Sequence, residues 1–99
     1  MNNKAQNFEL DFIGNLYRLA FFLSTETKGD KADLMINNLE KENEKVLLKS
    51  NKAQFSKILD TIKNSYALID TDRSKQLLAQ YCLDSYNVLI TKYTHAEFA

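Results

Sequence analysis

The sequence predicts an all-α protein, an antiparallel four-helix bundle made of two helical hairpins, and three observations predict it. The 99 residues contain no proline and only two glycines, Gly14 and Gly29, although these residue types are the usual interruptions of regular structure. Hydrophobic residues make up 44% and aromatic residues 11%, too much apolar material for a disordered chain. The apolar positions recur at spacings of three and four, the period of a helix. A chain of this length is expected to form one domain, residues 1–99, that buries roughly two-thirds of its unfolded surface without disulfides.

The first helix is expected from about Lys4 to Leu23 or slightly beyond. Phe8, Phe12, Leu16, Leu19 and Leu23 share one side of it, with Ile13 and Ala20 alongside. Residues 24–30 form the clearest joint, where Gly29 is able to take positive φ at a helix end. The second helix is expected to start at Asp30, a suitable N-cap, and to run to about Lys49. Its stripe is narrow (Ala32, Met35, Ile36, Leu39, Val46) and is interrupted by the charged run from Lys41 to Lys45. Ser50 and Asn51 offer the next cap, and the third helix extends to about Ile69 on a seam of Phe55, Leu59, Ile62, Tyr66 and Ile69. Asp70, Thr71 and Asp72 combine turn and cap chemistry. The fourth helix follows, with Ala79, Cys82, Tyr86, Leu89 and Tyr93 on one stripe, Leu78 and Ile90 beside it, and fraying expected after Thr94. Residues 86–91 have strand-like composition but lack a partner segment, so a helix is expected there too.

A weak internal repeat accompanies this pattern. Asn3-Lys4-Ala5-Gln6 recurs as Asn51-Lys52-Ala53-Gln54, and Leu10, Asp11, Ile13, Asn15, Tyr17 and Leu19 match Leu59, Asp60, Ile62, Asn64, Tyr66 and Leu68 one position further on. Duplication of a helical hairpin accounts for this. So does convergence on a capping box and an amphipathic period.

The composition narrows the expected chemistry. Thirteen basic residues balance thirteen acidic ones, so no global field recruits nucleic acid or an anionic membrane. Cys82 is the only cysteine, which points to a reducing cytoplasm, and no apolar run is long enough to span a bilayer. No catalytic residues, cofactor site or metal site are expected. His95, the single histidine, lies near the end of the chain, and Cys82 falls on an apolar stripe where a thiol packs as a small hydrophobe. Glu40 and Glu44 interleave with Lys41 and Lys45 as a solvated face. The run from Asp70 to Ser74 begins like a calcium loop, but Lys75 and Tyr81 stand where that loop needs glycine and glutamate.

Two functional surfaces emerge on the helices. Lys41, Lys45, Lys49 and Lys52 would form a basic face for a small DNA-binding transcriptional or plasmid/phage regulator, although Glu42 and Glu44 lie beside them. The stronger candidate is the first helix, whose apolar surface continues past its core stripe onto Leu10, Tyr17 and Phe21. Phe22 falls among Asp11, Asn15 and Arg18, in a polar sector where burial would drag charge inward. Aromatic residues concentrate at interface centres. The expected function is therefore non-catalytic protein binding through Leu10, Tyr17, Phe21 and Phe22, by a small bacterial or phage adaptor, chaperone, immunity or inhibitor-type protein. A homodimer is an expected form.

Overall fold

A computed structural model of the chain describes residues 8–25, 30–50 and 53–98, with side chains for all of these but 49, 50 and 93–98. They form four helices: α1 (Phe8–Thr25), α2 (Asp30–Ser50), α3 (Ala53–Ala67) and α4 (Asp72–Phe98). The helices run alternately up and down and form a ring in which α1 neighbours α2 and α4, while α3 neighbours the same two from the far side. The four-helix bundle follows directly from the period of the apolar residues. At about 1.5 Å per residue, the 27 residues of α4 span about 40 Å and set most of the bundle's 45 Å length.

The expected seams meet at the centre. Phe12, Leu16 and Leu19 from α1, Leu39 from α2, Ile62 from α3 and Cys82 from α4 are each wholly shielded from solvent. Phe12 and Phe55 cross the diagonal of the ring with centroids 4.8 Å apart and planes tilted by 31°. Small side chains at Ala20, Ala32, Ala79 and Ser85 let α1 settle closely against α2 and α4. The bulkier seam of α3 (Phe55, Leu59, Ile62) holds that backbone further off.

Among the described residues, three polar ones sit inside the core envelope, and each belongs to a seam the apolar pattern leaves incomplete. Asn43 continues the α2 stripe between Leu39 and Val46, and Ser85 fills the gap between Cys82 and Leu89. Asn43 Nδ2 donates to Ser56 Oγ at 3.0 Å, tying α2 to α3. Asn15 is 6% exposed. Its Nδ2 donates to both carboxylate oxygens of Glu42 at 2.9 and 2.8 Å, while its Oδ1 accepts from Arg18 Nη1 at 2.8 Å. Burial raises the Glu42 carboxyl above the usual range against the lowering effect of Asn15; nearby Asp11 raises it further, and Arg18 and Lys45 lower it.

The α3–α4 joint shows how the chain turns without glycine or proline. Leu68 N–H donates to Ser65 O at 3.1 Å and Ile69 N–H to Tyr66 O at 3.3 Å, so α3 ends in a tightened turn. Ile69 therefore belongs to the joint, two residues past the end of α3. Thr71 is the N-cap of α4: Ser74 N–H donates to Thr71 Oγ1 at 3.0 Å, and Thr71 N–H donates back to Ser74 Oγ at 3.1 Å. This is a capping box with serine in place of the usual glutamate. At its other end α4 runs to Phe98, a turn past Thr94. The joint at Gly29, the cap at Asn51 and the side chains of Tyr93 and His95 lie outside the described residues.

Candidate functional site

The surplus apolar surface of α1 lies on the flank that faces α4. Tyr17 is 51% exposed and Phe21 56%, with Leu10 exposed beside them. Tyr17 leans towards α4, its ring centroid 5.2 Å from that of Tyr86. An open groove of about 350 Å³ lies between the two helices. Ala20 and Ala79, both nearly buried, form its narrow floor, and Tyr17, Phe21 and Leu83 rise as apolar walls. Ser24, Gln76 and Gln80 give the rim a polar edge. On α1 the lining positions are Tyr17, Ala20, Phe21 and Ser24; on α4 they are Gln76, Ala79, Gln80 and Leu83. Both sets step by three, one and three residues, so each helix presents one continuous stripe to the groove.

Phe22 departs from its expected position. It is partly buried and packed against the core, with Lys31 Nζ of α2 5.6 Å above its ring. The sector holding Asn15 and Phe22 is the α1–α2 seam, not a solvent face. Its burial does not drag Arg18 inward: that side chain stays exposed and satisfies buried Asn15 from outside. Phe22 meets the groove side only through Phe21, whose ring it touches edge-on at 5.7 Å between centroids. It supports Phe21 and presents little surface of its own.

Gly14 sits mid-helix on the same exposed flank. A Cβ built there meets only the end of Arg18, Nη1 at 3.5 Å, an ordinary contact. Glycine in a helix interior costs about 1 kcal/mol relative to alanine. Nothing packed around Gly14 within its own bundle calls for that cost.

The ionisable groups with shifted affinities for protons are dispersed among the seams. Burial pushes the Cys82 thiol up to about 12. Tyr66 donates to Asp33 Oδ1 at 2.5 Å, and burial together with the Asp33 carboxylate raises its phenol to about 12. Lys63 and Glu40 form an exposed ion pair between α2 and α3. Among the described residues, no three His, Cys, Asp or Glu side chains group as metal ligands would, and no helix is long and apolar enough to cross a membrane. On the expected lysine face, Lys41 is exposed and Lys45 lies over the Phe8 ring at 4.9 Å. The side chain of Lys49 and all of Lys52 are outside the described residues.

The α4 wall was not singled out from the sequence. Its stripe is two glutamines, one alanine and one leucine, so no apolar excess marks it, although its spacing is helical. Leu34, Leu48, Leu68, Leu77 and Val88 are also exposed. They are spread over α2, α4 and the α3–α4 joint and do not line the groove beside Tyr17 and Phe21. Set against known proteins, the chain matches no family model, no curated protein and no solved structure.

Proposed function

We propose that this protein is a non-catalytic binding module that recognises an amphipathic helix of a protein partner on the α1–α4 face. The observation that carries the reading is the pairing of Tyr17 and Phe21, each about half exposed, with an open groove floored by alanine. Half-exposed aromatic rings over a small-residue floor suit a helix laid into the groove, its apolar side chains entering between the stripes of α1 and α4. Tyr17 and Phe21 act as anchors and lose little side-chain entropy on contact. Leu10 extends the surface by about two turns, and Phe22 holds the Phe21 ring from behind. Gln76 and Gln80 supply the polar rim expected around such a contact. An adaptor, chaperone, immunity or inhibitor-type role in the cytoplasm fits this mode of action, and self-association through the same face belongs to it.

Phe21→Asp is the discriminating variant, because Phe21 is exposed whereas Phe22 is tied to the core. Its helical circular dichroism and melting should match wild type, within about 0.5 kcal/mol for a surface change. Affinity capture from source-cell lysate should yield a protein with wild-type bait that is lost with this variant. Equal capture by both baits would reject the α1–α4 face as the binding surface.

A further inference from the structure

Leu10, Gly14, Tyr17 and Phe21 recur at spacings of four, three and four, a second seam on α1 beside the one that packs the core. We propose that the helix received by this face is α1 of a second copy, laid antiparallel so that Leu10 meets Phe21 of the second copy and Gly14 meets its Tyr17. This rests on the reading of the α1–α4 face as a helix-binding surface and names its occupant.

Shape is the first argument. In an antiparallel pair with this spacing, the two outer layers set leucine on phenylalanine and the two inner layers set tyrosine on glycine. Gly14 lets the facing backbone and the Tyr17 ring approach, which supplies the reason for a mid-helix glycine that its own bundle does not require. Charge is the second. The positions flanking the seam on its outer side are Asp11 and Arg18, seven residues apart on one helix. Antiparallel packing sets each Asp11 opposite Arg18 of the other copy, so one surface complements itself twice about a two-fold axis. A parallel pair would instead bring Asp11 to Asp11 and Arg18 to Arg18. Arg18 already spends one N–H on Asn15 and retains others on its exposed guanidinium. The zero formal net charge leaves little long-range repulsion between copies.

The test is sedimentation velocity of the full chain across the micromolar range, a concentration suited to an interface at the small end of the specific range. Wild type should show a reversible monomer–dimer equilibrium. Asp11→Arg and Arg18→Asp should each weaken it about tenfold, and a chain carrying both changes should return to about the wild-type affinity. Gly14→Ala should raise the melting temperature of the monomer while weakening the dimer. Orientation is read by oxidising a mixture of Asp11→Cys and Arg18→Cys chains, which should yield the mixed disulfide in preference to either symmetric one. Cys82 is buried and stays silent. A chain that stays monomeric at every concentration, a double charge reversal no tighter than the single ones, or symmetric disulfides forming as readily as mixed ones would each overturn the proposal. Monomeric behaviour with capture of another protein still lost on Phe21→Asp removes the second copy and leaves the binding-module reading standing. Loss of both results removes both.

Discussion

Replacing Asn15 by leucine isolates the worth of a polar chain that crosses the α1–α2 seam. The wild-type amide gives two hydrogen bonds to the Glu42 carboxylate, at 2.9 and 2.8 Å, and takes one from Arg18. Leucine has the same branched shape, with somewhat bulkier ends, but leaves a half-buried carboxylate facing hydrocarbon. An unsatisfied buried polar group costs about 1–3 kcal/mol, more when charged, and the partial exposure of Glu42 discounts the charged figure. We expect about 2 kcal/mol at neutral pH, or a fall of about 10 °C in melting temperature for a domain of this size. Glu42→Gln in the Asn15→Leu background should restore most of the loss, because a neutral amide costs less than a carboxylate when left beside leucine. The pH dependence follows from the direction of the Glu42 shift. Its folded-state affinity for a proton exceeds the unfolded one, so its contribution is fully present below the unfolded pKa and is lost as pH rises through the folded pKa. Without Asn15, which lowers that pKa, the folded value rises further. The Asn15→Leu deficit should therefore narrow as pH falls from about 7 towards 5. Urea melts of the four chains at both pH values supply the double-mutant cycle. A deficit below about 0.5 kcal/mol, or one that does not change on acidification, refutes the reasoning.

Two further outcomes follow from the seams and the joint. Thr71→Ala removes the oxygen that accepts the Ser74 amide at 3.0 Å and should cost about 1 kcal/mol in urea denaturation; an unchanged midpoint would show that Asp70 or solvent takes over the cap. Cys82, wholly buried with its thiol pushed up to about 12, should react with an aromatic disulfide reagent only as fast as the protein unfolds, and rapid labelling under native conditions would contradict its place in the core.

Much of the fold was legible in the residue spacing. Phe12, Leu16, Leu19 and Leu23 on α1 and Phe55, Leu59 and Ile62 on α3 are core positions that a helical wheel identifies without help. Thr71 was legible for a local reason, since its capping contacts span three residues. What the wheel does not carry is which flank of a helix a neighbour covers. Asn15 and Phe22 occupy a sector that is polar by composition, yet α2 lies over it, because Glu42 satisfies the amide and Lys31 sits over the ring. Asn43 and Ser85 are buried because their seams need a residue at that turn and Asn43 finds a partner in Ser56. The exposed aromatic flank, Leu10, Tyr17 and Phe21, could be listed from periodicity alone. The groove beside it could not, since its other wall comes from a helix more than fifty residues later in the chain.

That distance along the chain has a consequence for when the surface exists. One wall belongs to the first helix of the bundle and the other to the last, so no partly assembled hairpin contains it. α1 with α2 leaves Tyr17 and Phe21 on a convex, one-sided helix; only the docking of α4 makes a concavity. Any opening that releases α4 dissolves the groove before it disturbs the α1–α2 contact. A ligand held there draws its binding free energy from the closed bundle as a whole, and so restrains the last helix from leaving.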